Sequence, residues 1–362
     1  MAVNAERQVA HLLRLTDMEL SCLISGSMLR AWPACQERKM HVWHGFKAAL
    51  RKRRQARNEK ILVREPIVVP QSAAATQPDH YLTCVAIAKN EGAYLDEWIQ
   101  FHLLVGISHF YIYDNGSTDQ SLSVLRAYEK AGIVTVVPWR PFSVWANTQN
   151  MAYAHAVSNF GAGSRWMAFF DLDEFMFPVH AASLTELLQA REQQQAICVT
   201  GVNFGTSGHA VRPEGLVTEN YRQAVPMDLQ REHPKLLNVK SIVQPAQIRS
   251  IESVHWFNLK GTNKIGVNED GDPLPRFPRE DPLKLKADTV RFNHYYTRSR
   301  EEFSAKVNGS NARGPQLPAD AEQRWAMFRQ IEEFSVPDDS IQRFVPDLKD
   351  RLSAWQKEMA SA

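Results

Sequence analysis

The chain has 362 residues, 44% hydrophobic and 23% charged, with a formal net charge of +2. That balance is ordinary for a globular protein and argues against bulk binding of nucleic acid. Cys22, Cys35, Cys84 and Cys198 are scattered without a CxxC pair, which argues against a zinc site and for buried thiols in a reducing compartment.

Residues 1–78 read as a helical, basic extension followed by a linker. Glu6, Arg7, Arg14, Asp17 and Glu19 interrupt any signal-like apolar run. No run of about 18 apolar residues predicts a span. The expected location is cytoplasmic, with peripheral contact at the inner membrane face through the basic segment Arg51-Lys52-Arg53-Arg54-Gln55-Ala56-Arg57. A solvated basic helix is the plainer reading of that segment. The Pro/Ala/Gln/Ser stretch from Pro70 to Pro78 reads as the linker.

From Tyr81 strands alternate with helices. Tyr81–Ala88 predicts a buried strand, and Asn90 predicts a cap for a helix with Leu95, Trp98, Ile99 and Leu103 on one face. His109–Tyr113 is the next strand, followed by Asp114-Asn115-Gly116 and a helix capped by Ser117 with Gln120. Strand Ile133–Val137, helix Asn147–Asn159, strand Trp166–Phe170, a Ser183/Glu186 capping box and strand Ile197–Val202 follow. Thr289–Asn293 is strand-like, and Ser299 with Glu302 predicts another capped helix. This alternation predicts an α/β fold, a mostly parallel sheet flanked by helices, with ligands beyond the carboxyl ends of its strands. Residues 79–310 form the expected main domain, and residues 311–362 a helical C-terminal extension.

The chemistry centres on Phe169-Phe170-Asp171-Leu172-Asp173-Glu174-Phe175. Side chains two apart on a strand point the same way, so Asp171 and Asp173 are expected to converge. Paired carboxylates beside an apolar strand suit Mg²⁺ or Mn²⁺ bridging to a diphosphate; a solvated turn is the plainer reading. His294 is a candidate third ligand and His255 its competitor. Asn90, Glu91 and Asp114, at two other strand ends, are candidates for nucleotide contact; loop capping explains them equally well. Lys240 is a candidate phosphate contact. Trp145, Trp166 and Trp256 read as core residues before sugar platforms.

These motifs, Ala88-Lys89-Asn90-Glu91, Asp114 to Asp119 and Asp171 to Phe175, resemble nucleotide-sugar glycosyltransferases of the GT-A fold, nearest to glycosyltransferase family 92 and family-2-like bacterial enzymes. Phe204 to His209, Lys240 to Pro245 and His294 to Ser299 share the likeness, which spans about residues 81–310. The resemblance implies sugar transfer with inversion from a UDP-linked donor to a hydroxyl of a glycan or glycolipid. It implies that Asp173 is the main metal ligand, that Asp171 is shared between ribose and metal, and that Asp114 reads the base. Base candidates for the acceptor hydroxyl are His209 and Glu174, with Glu269-Asp270 and Glu280-Asp281 as loop acids. The Gln-x-x-Arg-Trp pattern of processive synthases is absent. The alternatives are a sugar nucleotidyltransferase, for which Ala88-Lys89-Asn90-Glu91-Gly92 is poor in glycine, or a non-catalytic glycan- or partner-binding protein.

Overall fold

The computed structural model describes residues 66–70, 77–140, 147–308 and 318–361. All of these lie in the unit Leu62–Ala362. The segment Arg51–Arg57, the rest of the N-terminal extension, most of the linker and Trp145 lie outside the described residues.

The strands are β1 Ile67–Val68, β2 His80–Ala88, β3 His109–Asp114, β4 Val134–Pro138, β5 Ser164–Phe169, β6 Glu174–Pro178, β7 Ala196–Asn203, β8 Gln223–Ala224, β9 Val239–Val243, β10 Ile248–Ile251, β11 Phe257–Leu259, β12 Val290–His294 and β13 Val336–Pro337. The main helices are α1 Leu95–Leu104, α2 Ser121–Lys130, α3 Thr148–Phe160, α4 Leu184–Gln189, α5 Arg300–Asn308, α6 Pro318–Phe334 and α7 Val345–Ser361. Among the described residues the central sheet has eight strands in the order β4-β3-β2-β5-β9-β7-β12-β6. The ladders from β4 to β5 are parallel. Strand β9 runs antiparallel between β5 and β7, β12 is parallel to β7, and β6 is antiparallel to β12. The mostly parallel, helix-flanked sheet is therefore as expected.

Alternation along the strands builds two cores. Cys84, Ala86 and Ala88 of β2 pack on one face with Trp98 and Ile99 of α1, Leu125 of α2, and Leu348, Leu352 and Trp355 of α7. Trp355 stacks on Tyr128 at 4.1 Å between centroids. The helix that ends the chain is thus part of the main core. On the other face Val85, Tyr113 and Phe169 meet Tyr153 of α3 and Phe257 of β11. Strand β3 is buried throughout, which is why its centre, Phe110 to Tyr113, is wholly apolar and aromatic.

The topology fixes where polar groups gather. The carboxyl ends of β2, β3, β5, β7 and β12 share one edge, and the amino ends of β9 and β6 meet them there. No described helix is long and apolar enough to cross a membrane.

Ser183 and Ser299 cap their helices as the sequence predicts, and Asn147 caps α3 through its side chain, which the sequence reading did not name. Asn90 and Ser117 do not. Helix α1 starts only at Leu95 and α2 at Ser121, neither with a side-chain cap. Asn90 instead adopts φ +58° and links two loops.

Gly266 has φ +134°, and a Cβ there would stand 2.6 Å from the Ala196 carbonyl oxygen. Gly266→Ala is expected to cost about 1–3 kcal/mol through backbone strain. Thermal melting should show a drop of several degrees; an unchanged melt would contradict this account.

Candidate functional site

Strand β5 ends at Phe169 and β6 begins at Glu174, so Asp171-Leu172-Asp173 is a turn and not a strand end. Strand alternation is therefore not what brings the carboxylates together. The turn closes through the Glu174 N–H donating to the Asp171 carbonyl at 3.1 Å. Glu174 accepts the Asp171 N–H on Oε2 at 2.8 Å, and Trp98 Nε1 donates to the Glu174 carbonyl at 2.9 Å. Tyr295 N–H donates to the Asp173 carbonyl at 2.8 Å. Helix α1 and the exit of β12 thus hold the turn from beneath.

The two aspartates have different partners. Asp171 accepts from Gln149 Nε2 at 2.6 Å and from Lys240 Nζ at 2.8 Å. Lys240 has no exposed surface and also lies 3.3 Å from Glu174 Oε2. Burial opposes its charge, but Asp171 and Glu174 outweigh that and hold the ammonium protonated. For Asp171, burial works against ionisation; Lys240 and Gln149 overcome it, and its carboxyl titrates below its ordinary value. Burial pushes the Glu174 carboxyl well up. The resident pair is therefore Lys240⁺ with Asp171⁻.

Asp173 accepts from Lys306 Nζ at 2.6 Å, and its Oδ1 lies 3.7 Å from His294 Nε2. Burial would raise its carboxyl, yet the Lys306 and Arg298 cations draw it below its ordinary range. Burial lowers His294 to about 4, so its imidazole is neutral at pH 7. The 3.7 Å gap is too long for a hydrogen bond. Two cis ligands each about 2.1 Å from an octahedral ion stand about 3.0 Å apart, so this pair would close slightly to hold one. A neutral imidazole beside an ionised carboxylate is a donor pair for Mn²⁺ or Mg²⁺. No cluster of three or more His, Cys, Asp or Glu forms a cage among the described residues. The donor set fits an ion that completes its shell from phosphates and water. Asp171 is 36% exposed, with both oxygens already hydrogen-bonded.

The other named residues lie at the same edge. Asn90 accepts the Thr118 N–H at 2.8 Å and donates its own N–H to Ser117 at 3.0 Å. Glu91 accepts from Arg298 at 3.0 Å, and that guanidinium stacks 3.6 Å over Tyr94. Asp114 is buried and accepts the Gly116 and Ser117 N–H groups, each at 3.2 Å. His209 sits on the loop after β7, its Nε2 3.3 Å from the Asn220 carbonyl and its ring edge-on to Tyr221. Thr206, on the same loop, is anchored by Glu332 of α6.

Several placements differ from the sequence reading. Glu174 has no exposed surface and supports the turn, so no acceptor reaches it. Glu269 is buried and accepts the N–H groups of Asp288, Thr289 and Val290, a structural task, while Asp270 pairs with Lys286. His255 turns Nδ1 to the Val239 carbonyl at 3.2 Å. Lys240 meets an aspartate in place of a phosphate. Gln149, Arg298 and Lys306 are site neighbours that the sequence does not single out: they come from α3 and from the segment after β12, and ordinary helix-surface residues look the same.

The model of glycosyltransferase family 92 matches residues 79–337. A glycosyltransferase family 92 protein of Ricinus communis is 26% identical over 301 residues, covering 79% of this chain and 51% of that protein. A galactan β-1,4-galactosyltransferase of Arabidopsis thaliana is 29% identical over 103 residues, 27% of this chain and 20% of that protein. This chain thus spans about half of the first relative or less of the second. Among solved structures, S. aureus TarS (residues 1–349) matches at a TM-score of 0.33 and 13% identity, over 69% of this chain and 70% of that one. The family match covers most of the chain, and the chain belongs to glycosyltransferase family 92.

Proposed function

We propose that this family 92 protein transfers a sugar from a nucleotide-diphosphate donor, UDP-linked, to a hydroxyl of a glycan or glycolipid, with inversion and with a divalent cation. The supporting observation is that β2, β3 and β5 end along one edge of the sheet, where His294 of β12 faces Asp173 across 3.7 Å. Asp173 and His294 would hold the cation. When bound, it neutralises charge on the departing diphosphate.

The chain's own residues carry the rest. Asn90, Glu91 and Asp114 present the nucleotide side of the edge. Lys240 fixes Asp171 toward the ribose, and Gln149 sets its other oxygen. Arg298 and Lys306 add positive charge near the phosphates. His209 is the proposed base: Nε2 donates to the Asn220 carbonyl, which leaves the Nδ1 lone pair to take the proton from an acceptor hydroxyl. We place the enzyme in the cytoplasm, at a membrane face if its basic segment engages anionic lipid.

UDP at about 100 times its Kd, with Mn²⁺, should stabilise the protein by about 2.7 kcal/mol, seen as a rise of several degrees in melting temperature. Chelation with EDTA should remove most of that rise. An equal shift with and without metal would reject metal-assisted donor binding, and no shift with UDP, GDP or CDP would reject the nucleotide-sugar reading.

A further inference from the structure

We infer that the cavity beside the amino end of β9 is a binding site for one pyranose ring of the acceptor, an inference that rests on the transferase reading above. The cavity has a volume of about 240 Å³ and is lined by Leu237, Val239, Trp256, Phe277 and Arg279 among others. Ordinary small-molecule sites run about 300–1,000 Å³, so this one suits a single ring and not a whole nucleotide.

Its position follows from the strand order. Asn90, Glu91 and Asp114 lie at the ends of β2 and β3, on one side of β5; β9 and β7 lie on the other. The Asp171–Asp173 turn, which leaves β5, stands between the two. A transfer needs the donor nucleotide and the acceptor on opposite flanks of the breaking bond. Val239 and Ser241 share one face of β9, while Lys240 between them points to the other face, where its ammonium holds Asp171. The cavity wall is tied to the same strands: Ser241 Oγ donates to the His255 carbonyl at 3.0 Å, and Ser241 pairs with Phe169 of β5.

The lining has the chemistry of a sugar platform. A pyranose has apolar C–H faces and a polar rim, and aromatic faces attract its slightly positive C–H bonds. Trp256 and Phe277 supply aromatic surface, and Phe277 is 53% exposed at the rim. Arg279 is pinned by Nε donating to the Leu237 carbonyl at 2.8 Å, which orients its remaining N–H donors for hydroxyls. Trp256 is thus a wall of the cavity, unlike the fully buried Trp166.

Saturation-transfer NMR of the full chain with the methyl pyranosides of galactose, glucose, mannose and xylose, and with uridine, tests this. At least one pyranoside should receive saturation, and Phe277→Ala and Arg279→Ala should each weaken it about two- to tenfold. Both side chains are solvent-exposed, so their loss leaves folding intact. UDP affinity should stay within twofold in both variants. No pyranoside signal, signals unchanged in both variants, or a uridine signal lost with them would overturn the assignment. Pyranoside binding without any UDP binding would leave the pocket standing and sink the transferase reading instead.

Discussion

Asp173→Asn should lower sugar transfer by about 10²–10³-fold, the scale of losing one preorganised charge contact at a site of developing negative charge. The substitution keeps the side-chain shape and leaves the Tyr295 N–H bond to the Asp173 carbonyl untouched. It removes the negative charge that faces His294 across 3.7 Å, so Mn²⁺ affinity should fall with the rate. Lys306 loses its carboxylate partner, but it is 37% exposed and water replaces that partner, so the melting temperature should barely move. Calorimetric titration with Mn²⁺ and initial rates of UDP release from UDP-galactose and UDP-glucose measure the two effects. Full metal affinity and full rate in the variant would refute the role given to Asp173. Loss of both with a collapsed melt would show a folding defect, in which case His294→Gln becomes the decisive variant.

Lys240→Met should destabilise the protein, because the lysine is the buried cation between two acidic groups. Removing the lysine leaves Asp171, 36% exposed and open to water, without its cation and Glu174 without its buried donor, a cost of about 1–3 kcal/mol. Lys240 has no exposed surface, and Asp171 relies on it to stay ionised. For a domain of this size that cost corresponds to a fall of several degrees in melting temperature. The combination Lys240→Met with Asp171→Asn and Glu174→Gln should recover much of the loss, because no charge is then left stranded. Circular-dichroism melts of the single and triple variants decide it. A single variant that melts within two degrees of wild type, or a triple variant no better than the single, would show that Lys240 is not the keystone of the turn.

The outline of the fold is legible in the sequence because its central strands are buried on both faces. Largely apolar runs such as Tyr81–Ala88 and His109–Tyr113 need no partner to be recognised, and they match β2 and β3 closely. Caps read well where the box is local, as at Ser183 and Ser299, and fail where the residue bonds across loops, as Asn90 does with Ser117 and Thr118. Strand β6 escapes the sequence reading because Glu174-Phe175-Met176 follows a turn too tight to separate two apolar runs.

The same boundary divides what is known of the site. By itself the sequence singled out Asp171 and Asp173 as candidate acids, and it carried the chain order of the motifs that mark the family, because those are properties of contiguous residues. Tertiary structure alone decided how the acids differ. Lys240 reaches Asp171 from 69 positions away and Lys306 reaches Asp173 from 133 positions away. A carboxylate's charge, exposure and free lone pairs depend on such distant neighbours, and no local pattern encodes which lysine arrives.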